Sequence, residues 1–250
     1  MLIVPSRLEG ILSSPQGRGQ PRAQLGRDIR RQRTAKARIV GPAHLLEVVA
    51  HLRDDRDFAT RGHIEISTTP YYHPILPLLC DSDIAAVPHP GVALPPRFHY
   101  PHDAREQLER ARAYMLEMFG VAPVGLWPSE GSVSDHALAL AYDSGFAWAA
   151  SDNGVLGRTL SRDPGVDVTY KPYVWQQGGR EVCMIFRDHY LSDLIGFEYS
   201  RMGAADAAGH FLDRIRQNAG GRECLVPIIL DGENAWEYYE ANGQIGRAHV

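Results

Sequence analysis

The sequence predicts an α/β fold built on a parallel sheet. Strand-like and helix-like stretches alternate from about residue 44 to residue 240, the pattern of successive βα units. Acidic side chains recur just after the strand-like stretches, at Glu130, Asp152, Asp188 and Asp231. In α/β folds that is where catalytic groups sit, because the turn opens on a cleft while its flanks are rigid. The chain is also long enough: 250 residues at 44% hydrophobic content bury a substantial core, as one large domain or part of one.

Composition excludes several classes. No apolar run approaches the roughly 20 residues that span a bilayer, and the first residues lack a secretory core and cleavage site. Cys80, Cys183 and Cys224 are odd in number and far apart, which predicts free thiols in a reducing, cytoplasmic compartment rather than a disulfide framework. Residues 1–40 carry eight Arg and one Lys against Glu9 and Asp28, a balance of +7, so the remainder is −11 within a total of −4. That basic segment shows no aromatic interleaving and no apolar period, so it is read as disordered rather than as a nucleic-acid arm. Its Arg-rich composition also suggests a shifted reading frame in a GC-rich gene. Residues 244–250 read as a non-native tail, like translated adapter sequence. The organised part is 41–243.

Leu45, Val48, Val49 and Leu52 open it with the spacing of an amphipathic helix. His63–Ser67 alternates as a strand, with Ile64 and Ile66 on one face and His63, Glu65 and Ser67 on the other. Glu65 is a candidate acceptor for a ligand hydroxyl, or a salt-bridged strand-end carboxylate. The polar and aromatic turn Thr68–Pro74 follows. Its Tyr71 and Tyr72 offer flat rings with polar tips, suited to stacking on a flat ligand face or to core packing. His89, His99 and His102 lie in or near a Pro-rich stretch with no His-x-x-x-His on a helix, and no metal site is assigned to them. Asp103 and Glu106 resemble a capping box ahead of a helix striped by Ala104, Leu108, Ala111 and Met115 and closed by Gly120.

The next stretch, Gly125-Leu-Trp-Pro-Ser-Glu-Gly-Ser-Val-Ser134, organises the rest. Pro128 ends strand pairing because it has no N–H, and Ser132 or Ser134 caps a helix from Asp135 that stops at Gly145. Glu130 therefore stands on a tight strand-to-helix turn. Phe146–Ala150 reads as a buried strand with Asp152 after it, and Glu181–Arg187 as another, leading into Asp188, His189 and Asp193. Arg187, Asp188, His189 and Asp193 are candidates for contact with a substrate, or an Arg–Asp brace of the loop. A helix through Asp206–Ile215 ends at Gly220-Gly221, and Leu225–Leu230 is a last apolar strand, with Asp231 directly after it.

Three stretches together carry a resemblance: Gly62–Pro77, the Glu130 turn, and Val226–Tyr239 with its Asp231-Gly-Glu233-Asn-Ala-Trp236. They resemble the catalytic domain of glycoside hydrolase family 57, whose members include α-amylases, amylopullulanases, branching enzymes and 4-α-glucanotransferases. The resemblance implies an incomplete (β/α)7-type barrel with parallel strands. It implies a retaining glycoside hydrolase of α-glucans with Glu130 as nucleophile and Asp231 as general acid/base. A neighbouring Glu130, with Glu233, would push the Asp231 carboxyl upward so that it holds a proton near neutral pH. Retention implies carboxyl groups about 5–5.5 Å apart. Substrate contacts are expected from Glu65, Tyr71, His73, Trp127, Asp152, Arg187, Asp188, Asp193, Glu233 and Trp236, with Trp127 and Trp236 also fitting ordinary core positions. No metal or organic cofactor is required, since the pair supplies all the proton and nucleophile chemistry. The partner is a maltooligosaccharide or longer α-glucan; neither a nucleic acid nor a membrane is expected. Competing readings are a transferase sharing the first half-reaction, a non-catalytic glucan-binding module, and a metal-dependent deacetylase on a related barrel. The family's early His-Gln-Pro motif is not found, so a fragment with little activity of its own is expected.

Overall fold

A computed structural model describes residues 8–10, 55–230 and 238–239. The helix expected over Leu45–Leu52 lies outside them; residues 55–60 are helical. Among the described residues there is one sheet, of β1 (Leu8–Gly10), β2 (Ser67–Thr68), β3 (Gly125–Leu126), β4 (Trp148–Asp152), β5 (Tyr173–Gln177) and β6 (Arg180–Arg187), ordered β1-β5-β6-β4-β3-β2. The neighbours β2, β3, β4 and β6 run parallel, while β5 is antiparallel to both β6 and β1. The fold is α/β. Its sheet does not close among the described residues.

The helices are α1 (Leu76–Cys80), α2 (Pro101–Phe119), α3 (Asp135–Asp143), α4 (Asn153–Leu160), α5 (Val166–Thr169), α6 (His189–Asp193) and α7 (Ala204–Ala219). One face of the sheet takes α1 to α5. Leu126, Ala149, Met184, Phe186, Val182 and Trp175, alternate residues of the strands, join Leu76, Leu108, Leu138, Val155 and Val168 in a single buried cluster. A second, smaller cluster of Tyr170, Leu191, Leu194 and Tyr199 is covered by Ala207, Phe211 and Ile215 of α7. The opposite parity carries Glu65, Ser67, Trp148, Asp152 and Arg187, each half-buried.

Several local expectations change. The strand expected over His63–Ser67 pairs only at Ser67 and Thr68, although Ile64 and Ile66 are buried as the alternation requires. The capping box at Asp103 and Glu106 does not form: α2 begins one turn earlier behind Tyr100, with Pro101 in its first turn and no side-chain cap. Pro at the first helical position has its missing N–H where no partner exists anyway. Ser134, not Ser132, caps α3, accepting from Ala137 N at 3.2 Å. Strand β5 and the turn Gly178-Gly179, with φ of 57° and 79°, make a hairpin with β6 in place of a parallel crossover. Leu225–Leu230 joins no ladder; it is tied by Leu225 N to Tyr170 O at 3.1 Å and by Asp188 N to Pro227 O at 2.9 Å. Pro227 has no N–H to contribute to a regular ladder.

Candidate active site

The turn after β3 is clamped from both sides. Trp127 N donates to Thr68 O at 2.8 Å, the last tie to β2, and Pro128 then turns the chain away. Residues Ser129–Gly131 form one tight turn, closed by Gly131 N to Pro128 O at 2.8 Å. Glu130 occupies the left-handed region, φ 57° and ψ 21°, which costs a non-glycine residue about 1–2 kcal/mol. The surroundings hold it there. Ser132 Oγ donates to Ser129 O at 2.6 Å, and Ser151 Oγ of β4 donates to Gly131 O at 2.6 Å. The Trp127 ring lies 3.2 Å from the point a Cβ at position 131 would occupy, so the turn admits no larger residue without moving that ring. Within this rigid frame, Ser129 and Gly131 are buried and Glu130 is exposed. The carboxylate is presented to solvent on a strained, fixed backbone.

Beside it lies a charged network at the ends of β4 and β6. Asp152 and Arg187 are register partners, and Arg187 Nη1 donates to Asp152 Oδ2 at 3.1 Å. Arg187 Nε donates to Ile229 O at 2.8 Å, and its Nη2 donates to Asp193 Oδ1. His189 bridges the same carboxylates, with Nδ1 3.1 Å from Asp152 Oδ2 and Nε2 2.9 Å from Asp193 Oδ2. Asp152 Oδ1 also caps α4 by accepting from Gly154 N at 2.8 Å. The backbone N of Asp152 lies 3.5 Å from the Cβ point of Gly131, so network and Glu130 turn adjoin.

The remaining expected site residues divide. Glu65 accepts from Trp148 Nε1 at 2.5 Å. The Trp148 ring crosses the bare Cα of Gly125, where a Cβ would stand 2.1 Å from its Cζ2. Tyr71 is docked on α2, with its N donating to Gln107 O at 3.2 Å and its ring 5.8 Å from that of Tyr114. His73 is exposed at φ 58°. Asp188 faces inward and has both oxygens engaged, by Leu191 N at 2.8 Å and Tyr170 Oη at 2.6 Å. Burial, and then the bond to Asp188, push the Tyr170 phenol well above its usual range. Asp231, Glu233 and Trp236 lie outside the described residues, and so does the separation of the two proposed catalytic carboxyls. No group of three or more His, Cys, Asp or Glu among the described residues is placed to hold a metal ion. No helix among them is long and apolar enough to cross a membrane. Trp148 and Ser151 were not singled out from sequence, since their contacts with Gly125 and Gly131 depend on strand register.

The family model for glycosyl hydrolase family 57 matches residues 49–246. The solved structure of a 4-α-glucanotransferase from Thermococcus litoralis is similar at 18% identity and a TM-score of 0.53, covering 76% of this chain and 26% of that one. That of a branching enzyme from the hyperthermophilic archaeon Thermococcus kodakaraensis, in complex with glucose and additives, is similar at 15% identity and a TM-score of 0.53, covering 82% of this chain and 46% of that one. The chain thus spans about a quarter of the first and under half of the second. No curated protein matches it.

Proposed function

We propose that this chain, which belongs to glycosyl hydrolase family 57, is the catalytic part of a retaining glycoside hydrolase acting on α-glucans. The observation that carries the reading is the Glu130 turn: an exposed carboxylate on a locked, left-handed backbone at a strand's C-terminal end. A nucleophile must be held close to the anomeric carbon without reorganising, and this turn supplies that. Glu130 attacks the anomeric carbon as the bond to the leaving sugar's oxygen breaks, and Asp231 gives that oxygen its proton. Water then opens the glycosyl ester, returning a proton to Asp231 and releasing Glu130 as a carboxylate. Both linkage classes, α-1,4 and α-1,6, are within this chemistry. Residues 41–243 form the catalytic portion. The three free thiols support a cytoplasmic location.

A second reading is favoured by the names of the two solved relatives, a glucanotransferase and a branching enzyme. There a sugar hydroxyl takes the place of water in the second step, and the first step is unchanged.

The test is to trap the first step. A 5-fluoro-α-glucosyl fluoride forms a glycosyl-enzyme that turns over slowly, and mass spectrometry of the peptides should find the sugar on Glu130. A label on another carboxylate reassigns the nucleophile. Absence of any label under conditions where maltoheptaose is consumed would falsify the covalent mechanism. Products from maltoheptaose and pullulan then separate hydrolysis from transfer and one linkage from the other.

A further inference from the structure

We propose that Arg187 is a positioning residue that aligns the Glu130 turn with the chain two residues before Asp231, rather than a group that touches the sugar. Its three guanidinium nitrogens point in three directions. Nε holds the Ile229 carbonyl at 2.8 Å, Nη1 holds Asp152 at 3.1 Å, and Nη2 holds Asp193. Nη1 also lies 3.0 Å from His189 Nδ1. The side chain is 16% exposed, so little of its donor capacity faces a ligand. Asp152 carries the hold onward: its backbone N lies against Gly131, and its neighbour Ser151 bonds the Gly131 carbonyl at 2.6 Å.

One planar fork therefore joins the end of β4, 35 residues before Arg187, to the stretch Leu225–Leu230, whose Ile229 lies 42 residues after it. That stretch is in no ladder; beyond two backbone bonds at Leu225 and Pro227, Arg187 and Ser192 Oγ, 3.2 Å from Ile229 N, tie its end at Ile229. A lysine carries a single ammonium on a flexible stem and cannot reproduce three fixed directions at once. A bracing pair with no catalytic consequence would lower stability and leave the folded enzyme's rate constants alone. Alignment of two reacting groups predicts something else, because a displacement of about 1 Å in a reacting pair costs on the order of 10²-fold in rate.

The role in catalysis rests on the α-glucan reading, whereas the alignment itself does not, and the experiment separates the two. Arg187→Lys, Arg187→Met and Asp193→Asn are compared with wild type in the full chain by maltoheptaose kinetics and by amide hydrogen exchange. Expected for Arg187→Lys is a fall in kcat of about 100-fold with KM within about twofold of wild type. Exchange should quicken in peptides covering 129–134 and 225–230 and stay unchanged in 173–177. Asp193→Asn, which removes the charge from one of the three ties, should show the same pattern more weakly and stands in if the Arg187 variants do not fold. A raised KM with kcat retained would make Arg187 a sugar ligand and overturn the proposal. Exchange confined to β6 or spread over the whole sheet would overturn it too. If this chain consumes no α-glucan, as expected of a fragment, the exchange pattern alone decides whether Arg187 aligns these segments.

Discussion

The two faces of the sheet use the same strands and opposite rules. Toward the helices, Leu126, Ala149, Met184 and Phe186 are at most 1% exposed and carry no polar side-chain atom that needs a partner beyond the Met184 sulfur. On the other face buried Ala150 and Ile185 alternate with half-buried Trp148, Asp152, Cys183 and Arg187, and hydrogen bonds join Trp148 to Glu65 and Arg187 to Asp152. The first face is stabilised by area removed from water, which is indifferent to direction. The second face must satisfy each charge individually, because an unpaired, partly buried charge costs more than a pair returns. Charged and hydrogen-bonded placement is thus confined to the polar face, and the apolar face holds the strands in position.

Changing Glu130 should give the largest effect and fall entirely on the polar side. Glu130→Gln is expected to lower α-glucan turnover by on the order of 10³-fold or more, since it removes the charge of the proposed nucleophile. Its melting temperature should stay within a degree or two of wild type, because the side chain is exposed and the isosteric amide keeps the same backbone. Steady-state kinetics and calorimetry on one preparation measure both. A large loss of stability with turnover intact would reverse the division between the faces.

Leu126→Ala should do the opposite. Leu126 is 1% exposed, and truncation of such a side chain costs about 2–5 kcal/mol through lost burial and the cavity left behind. Urea unfolding should show that loss, while the folded fraction keeps most of its turnover. Leu126 is one residue from Trp127, so a collapse of turnover in fully folded protein would mean that the apolar face also sets the geometry of the Glu130 turn.

Legibility followed the same division. Apolar alternation in Val182, Met184 and Phe186 could be read directly, because period two is a local property. The Glu130 turn was equally readable from Pro128 and the serine cap, since turn chemistry is local too. The hairpin has a local turn signal in Gly178-Gly179, but the alternation of strand and helix stretches points to parallel crossovers instead. What could not be read was register. Trp148 over Gly125, Arg187 opposite Asp152 and Ser151 against Gly131 join strands far apart in sequence, and a one-residue slip would separate each pair. Asp188 shows the limit of position alone. A carboxylate just after a strand is equally placed to meet a substrate or to cap the next helix, and here both its oxygens are used within the fold.

Gly125→Ala tests the contact that bridges the faces' two kinds of packing. The new methyl would stand 2.1 Å from Trp148 Cζ2, so the ring must move and its bond to Glu65 must lengthen or break. A cost of about 1–3 kcal/mol is expected, as for other overpacked sites. In a Trp148→Ala background the same change should cost much less, because the clashing ring is gone, and a double-mutant cycle of unfolding free energies reads the difference. Equal costs in both backgrounds would show that the glycine is needed for its backbone and not for the ring.

The smallest effect compares one thiol from each side. Cys80, 1% exposed in the helix-side core, has its thiol pushed up to about 12, chiefly by burial and then by the nearby Asp81 charge. Cys183 stands in register with Trp148 on the other face, and burial raises its thiol as well. A thiol raised in the fold is held neutral there, while the unfolded chain releases the proton near the ordinary value of 9.0. Above that pH the unfolded state binds fewer protons than the native state, so stability falls as pH rises and levels off past the folded value. Between pH 9 and pH 10 the loss from Cys80 should be about 1 kcal/mol, and below pH 8 there should be none. Urea midpoints at pH 8, 9 and 10 for wild type and Cys80→Ala isolate the term, since the alanine variant is less stable throughout but lacks this slope. Alkylation of native protein by iodoacetamide at pH 8 completes the comparison. Cys183, half-buried on the face that carries the charged network, should react faster than Cys80, which must wait for the core to open. Equal rates would mean that both thiols are reached through global unfolding, and the polar face would then be as closed to small molecules as the apolar one.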